Sequence, residues 1–175
     1  MTSRAGETFD VDRAAAEVDD LLAAQVPADG PTEAKGDPAT GEWTVTVGAG
    51  FRIVPLWEGE PLTGLYGAEW NDEADAGDAR LASLTKALEA RWGPHRTVRL
   101  DGPFLRWQGG SPIEALFEAL FAEDLYGDLN VWGPVDSTGR CVAATVGHSD
   151  GDAPLVLAAL VTDRPITEPA GVEVP

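Results

Sequence analysis

Residues 129–151 read LNVWGPVDSTGRCVAATVGHSDG. The stretch holds Cys141, the one cysteine of the chain, and His148, one of two histidines, followed directly by Ser149 and Asp150. It is either a fragment of an active site or a pair of strands joined by turns, and the residue order favours strands. Leu129 and Val131 begin one strand, DSTG at 136–139 is turn vocabulary, and RCVAATVG at 140–147 returns as the next. In the returning strand Cys141, Ala143 and Thr145 share one face, and Val142, Ala144 and Val146 share the other. A strand apolar on both faces is expected inside a sheet. HSDGDAP then supplies a second turn, and LVLAALVTD at 155–163 a last strand of the same two-sided kind.

The catalytic reading fails on geometry. An odd separation puts Cys141 and His148 on opposite faces of one regular strand. Consecutive residues such as His148, Ser149 and Asp150 do not converge as the members of a relay must. Cys141 therefore reads as a small core residue. His148 acting with a distant carboxylate is the form of general-base chemistry that the sequence leaves open.

Upstream, SPIEALFEALFAEDLYG (111–127) is patterned as a helix. Ser111 is its expected cap, Pro112 its first residue and Glu114 the return partner of a capping box. Ile113, Leu116, Phe117, Leu120 and Phe121 form its apolar face, and Gly127 is placed to end it. HRTVRLDG reads as a strand that FLRWQ at 104–108 extends or pairs with. ARLASLTKALEARWG is a helix capped by Asp78, with Leu81, Leu84, Leu88 and Trp92 as its stripe. EWTVTVGAGFRIVPLWEG is a hairpin turning at Gly48–Gly50. Its GAG lacks the third glycine and the following helix of a phosphate-binding loop. FDVDRAAAEVDDLLAAQV is a first helix with Asp10 as cap. Residues 27–42 and 58–78 read as loops, the first rich in Pro and Gly, the second in acids.

These segments predict an α+β domain in the order α-β-β-α-β-α-β-β-β, with three helices and a mainly antiparallel or mixed sheet of about five to six strands. One domain spans 1–175: a helix at about 10–26, a flexible loop at 27–42, an α+β core at 43–163, and a loose Pro-rich tail at 164–175.

Composition narrows function. The chain has 175 residues, 43% of them hydrophobic, with 12 Lys+Arg against 30 Asp+Glu, for a formal net charge of −18. Such a charge repels phosphate backbones and anionic lipid, so neither nucleic acid nor membrane is an expected partner. No apolar run approaches a membrane span, and the first residues lack a signal-peptide core, so cytoplasmic residence is expected. An acidic bacterial proteome would produce the same balance without any special partner. One cysteine excludes an internal disulfide and a multi-cysteine zinc site within one chain.

Two charge features suggest binding. Residues 58–78 carry seven acids and no base, flanked by Trp57 and Trp70. Trp57, Glu69, Trp70, Asp72, Glu73 and Asp75 make a candidate docking surface, with aromatics as anchors and carboxylates as steering charges for a basic protein. Asn71, Glu73 and Asp75 have calcium-ligand chemistry, but glycine stands seventh and Ala82 twelfth, which breaks the EF-hand template, so no metal is expected. Residues 91–107 carry Arg91, Arg96, Arg99 and Arg106 against Asp101 alone. These arginines either pair with the acidic loop or join Trp92 and Trp107 in a patch for a carboxylate-bearing partner.

The leading expectation is a small non-enzymatic protein-binding module without a cofactor, acting as an inhibitor on a basic partner. Immunity proteins that cover a toxin's cationic active site are an analogy in size and charge, with no shared motif. The alternative is a small-molecule-binding module or enzyme. Its pocket would lie near the 127–152 hairpin and the Arg-rich strand 95–106, drawing on Arg96, Arg99, Arg106, His148 and Asp150.

Overall fold

A seven-stranded antiparallel sheet organises the computed structural model, which describes residues 7–60, 64–147 and 154–167. Its strands are β1 (Glu33–Gly36), β2 (Trp43–Gly48), β3 (Phe51–Glu58), β4 (Arg96–Val98), β5 (Leu129–Trp132), β6 (Cys141–Gly147) and β7 (Val156–Thr162). Four helices accompany them: α1 (Val11–Ala23), α2 (Ala68–Trp92), α3 (Asp101–Gln108) and α4 (Ala115–Ala122). The spatial order is β1-β2-β3-β7-β6-β5-β4, so the last strand is central and joins an N-terminal meander to a C-terminal one.

The opening stretch forms the hairpin its pattern predicts. Asn130, Val131 and Trp132 of β5 pair with Ala144, Ala143 and Val142 of β6, and β6 pairs along its whole length with β7. Two-sided apolarity has a direct cause, because helices cover both faces of the sheet. On one face Cys141, Ala143, Ala158, Leu160, Phe51 and Ile53 pack with Leu116, Phe117, Leu120 and Phe121 of α4. On the other Val142, Ala144, Leu157, Ala159 and Val161 pack with Ala14, Ala15, Val18 and Leu21 of α1 and with Leu84 and Leu88 of α2. Fully burying one such Leu or Val contributes about 1.5–3 kcal/mol, so β7, enclosed on both faces and both edges, is the energetic centre. Asp10 caps α1 as expected, its carboxylate accepting from the amides of Asp12 (2.9 Å) and Arg13 (3.2 Å).

Several expectations need correction, among them the element order, which among the described residues is α-β-β-β-α-β-α-α-β-β-β with seven strands and four helices. The 27–42 loop contains β1, an edge strand whose four residues are all exposed. Held by backbone pairing to β2 alone, it leaves no hydrophobic pattern to read. Most of the acidic stretch is helix: α2 begins at Ala68, so Asp78 is interior and not a cap. The misleading signal was Gly77, which normally weakens a helix by about 1 kcal/mol. Here it is buried, and a Cβ at this position would lie 2.8 Å from Leu155 Cδ1, so glycine lets α2 approach the sheet closely.

Residues 104–108 neither extend nor pair with a strand but form the helix α3. The capping box at Ser111 is absent: α4 starts only at Ala115, with Glu114 at the cap position and no side-chain cap bond. The Ser111 amide instead donates to Arg106 O (2.9 Å), while that of Gly110, at φ +78°, donates to Trp107 O (3.0 Å). That is a Schellman ending for α3. Gly127 does not terminate α4, which stops at Ala122; it lies against β6, where a Cβ would meet Val146 O at 2.6 Å. At the C-terminal end Ile166 is buried in the core, and 168–175 fall outside the described residues.

Candidate functional site

The predicted docking residues separate into a buried and an exposed set. Trp57 is 4% exposed, a core residue. The β3–β7 register shifts between Pro55 and Trp57, so Leu56 and Trp57, adjacent in sequence, both join the α1/α2 core. This bulge is why Trp57 fits no simple period. Its indole N–H donates to Glu7 O (3.2 Å), Phe9 meets it edge-on, and the Arg80 guanidinium lies 4.0 Å from its ring centroid. Arg80 Nη1 is buried without a hydrogen-bond partner, and the face of Trp57 offsets part of that desolvation through cation–π attraction. Trp70 is half-buried and packs against the same core.

The acids face the other way. Glu69, Asp72, Asp75 and Asp78 are exposed on α2, and Glu73 is half-buried. Spacings of three and four residues bring neighbours of this set within reach of one another on the helix. Among the described residues none of the five enters an ion pair. Directly before the helix stands Tyr66, 82% exposed, which the sequence reading passed over for the two tryptophans. Gly64 and Gly67, both at positive φ, frame Tyr66, and that framing was the available signal for a projecting aromatic.

The arginines do not pair with these acids. Arg91 pairs with Asp19 of α1, Arg99 with Asp101 (3.0 Å), and Arg96 donates to Ile166 O. Arg106 is half-buried in the last turn of α3. The Arg/Trp patch does not assemble either: Trp92 packs on the α1/α2 face, whereas Trp107 contacts Phe104 and Phe121 on the α3/α4 face. Leu105 of α3, 67% exposed, is a second surface apolar residue that the sequence reading did not single out.

A cleft does lie beside β4 and the start of the β5–β6 hairpin. It measures about 560 Å³ and is lined by residues 92, 94–96 and 131–135. Of the predicted pocket residues Arg96 lines it, Arg99 and Arg106 do not, and His148 and Asp150 fall outside the described residues. A neighbouring depression of about 450 Å³ runs along α2 past Thr85, Glu89 and Asn130, and shares His95 with the cleft.

Comparison of the chain with protein-family models, curated proteins and solved structures gives no significant match.

Among the described residues no group of three His, Cys, Asp or Glu side chains is placed to hold a metal ion, and the Asn71–Asp75 segment is helical. Nor is any helix among them long and apolar enough to cross a membrane. Cys141 is buried between α4 and the sheet. Three carboxyls are held above the usual range. Burial is the main cause for Glu17, Glu58 and Glu123, reinforced by Glu42 for Glu58 and by Asp124 for Glu123. Tyr126 is pushed up to about 12, first by burial and then by its hydrogen bond to Asp124 (2.8 Å).

Proposed function

We propose that the protein is a non-enzymatic binding module that docks a basic protein through the exposed side of the N-terminal half of α2. The observation that carries this reading is the set Glu69, Asp72, Glu73, Asp75 and Asp78, which has no internal counter-ion among the described residues and stands beside the projecting ring of Tyr66. Elsewhere Asp19 pairs with Arg91 and Asp101 with Arg99. Those of α2 keep their field for solvent. A cationic surface approaching that field is steered to it, and a tyrosine supplies contact area at low entropic cost. Trp57 and Trp70 support the platform from beneath, so the aromatic anchor in this reading is Tyr66. An inhibitor of immunity type is one form such a module takes, and the charge pattern suits it.

The test compares partner capture by the wild-type protein with capture by Glu69→Gln/Asp72→Asn/Glu73→Gln/Asp75→Asn and by Tyr66→Ala. Association with a captured basic protein slows in the quadruple variant, and the deficit shrinks as salt rises, because steering is screened beyond about 8–10 Å. Tyr66→Ala speeds dissociation with little salt dependence.

A further inference from the structure

Strand β1 is an open edge of the sheet. It pairs with β2 alone, and its four residues, Glu33–Gly36, are all exposed. An open edge presents N–H and C=O groups that another strand can bond, and folds commonly blunt it with a cover or with charge of one sign. Here the strand carries one charge of each sign, Glu33 and Lys35, on either side of Ala34.

The backbone bonds fix which groups face outward. Asp37 N–H donates to Glu42 O (2.7 Å), and Lys35 O accepts from Thr44 Oγ1 (3.2 Å), so Lys35 and Asp37 turn their backbone groups toward β2. Lys35 faces Val45 and Gly36 faces Trp43, which puts the extra residue of the register shift on β2 and leaves β1 regular. By alternation Glu33 also turns inward, while Ala34 and Gly36 turn outward. Side chains alternate on the other axis, so Glu33 and Lys35 share one face of the sheet and Ala34 stands on the opposite one.

We propose that β1 pairs with β1 of a second copy of this chain, antiparallel across a twofold axis at Ala34, and joins the two sheets into one. Each Ala34 donates its N–H to the carbonyl of the other, as in a hydrogen-bonded pair. Residues one before and one after the axis meet, so Glu33 of each protomer lies directly opposite Lys35 of its partner. These are non-hydrogen-bonded positions, where side chains approach most closely, and the axis generates two such opposite-charge pairs. The contact is isologous and closes at two copies. The second edge of the sheet lacks this match: β4 holds Arg96 and no acid, and an axis at Thr97 would set Arg96 opposite the buried Val98. Two chains of net charge −18 repel at long range, but at about 0.15 M salt that repulsion is screened beyond about 8 Å, whereas the Glu33–Lys35 pairs act at contact. The contact is separate from the α2 acids and stands whether or not they dock a protein.

The experiment is sedimentation equilibrium of the full chain in about 0.15 M salt. One short strand per copy makes an interface of the small class, below about 1,200 Å², so a monomer–dimer equilibrium with Kd of about 10–1,000 μM is expected. Glu33→Lys and Lys35→Glu each set like charges opposite one another at both positions and weaken dimerisation by about tenfold. Glu33→Lys does so although it reduces the net negative charge, which on general repulsion alone would tighten association. Mixed in equal amounts, the two variants again have opposite charges at both positions and associate as wild type does. That recovery also shows that neither substitution has disturbed β1. A wild-type chain that stays monomeric up to about 1 mM overturns the proposal. So does a single variant that dimerises as wild type does, or a mixture that associates no better than its components.

Discussion

Gly133 stands where β5 leaves the sheet, and replacing it with alanine tests how closely the β5–β6 connection passes over Cys141. A Cβ at position 133 would lie 2.3 Å from Cys141 Sγ, 2.8 Å from its Cβ and 2.9 Å from its Cα. Favourable carbon contacts begin near about 3.5 Å, so all three approaches are strongly repulsive. A side chain alone could rotate away, but the Cα belongs to the first residue of β6, which is paired with Thr162 of β7 and followed directly by residues paired on both edges. Overpacking of a well-packed core costs about 1–3 kcal/mol, and a backbone atom among the overlaps places Gly133→Ala near the top, at about 3 kcal/mol. For a chain of this size each kcal/mol lowers Tm by about 2–4 °C, which gives a fall of about 6–12 °C by calorimetry or circular dichroism. Cys141→Ala alone costs about 1 kcal/mol. Combined with Gly133→Ala it removes the Sγ overlap and leaves the Cβ and Cα overlaps, so the double variant loses less than the sum of the single losses. A Gly133→Ala protein melting within about 2 °C of wild type would refute the reasoning, because a clash with strand backbone has no inexpensive escape.

Other perturbations follow from caps and charges. Asp10→Ala removes two amide contacts at the start of α1 and costs about 1 kcal/mol, whereas Ser111→Ala, which touches no cap, changes stability by under about 0.5 kcal/mol; equal losses in thermal melts would contradict the helix starts described. Glu58 and Glu123 have folded pKa values raised above the ordinary 4.5, mainly by burial. The folded state therefore takes up their protons first as pH falls from neutral, so stability rises on the way down to about pH 4.5 and is lost again as pH climbs through the raised values. Glu123→Gln raises Tm at neutral pH and flattens that slope, and an unchanged slope in melts across this range would show that Glu123 does not contribute to it.

How much of this was legible in the sequence depended on whether a segment buries side chains in a regular register. β6 and β7 were read correctly because helices on both faces leave them apolar throughout, and α1 because its cap and stripe agree. β1 was missed because an exposed edge strand is held by backbone bonds that carry no side-chain signature. The first turns of α2 were missed because Gly77 serves close packing there and not a turn, and Trp57 because the bulge in β3 breaks its period. Ser111 bears every mark of a cap, yet the preceding helix claims its backbone. The cleft was legible only in outline: a pocket near the Arg-rich strand and the hairpin was expected with Arg96, but His95, Glu89 and Trp132 come together only through tertiary pairing of β4 with β5.

The central claim is that the acidic face of α2 binds a basic partner, and the most direct measurement is the association rate of a captured partner with wild type and with the Glu69/Asp72/Glu73/Asp75 quadruple neutralisation, at low and high salt. Folding should be nearly untouched. Glu69, the one of the four in the first turn of α2, gains about 0.3–1 kcal/mol from the helix dipole, while acids three and four residues apart in the set repel by about 0.2–0.5 kcal/mol per pair, and the two effects largely offset. With Tm thus matched, the account predicts association at least about tenfold slower for the variant at low salt, converging with wild type as salt rises. Equal association rates at low salt would contradict it.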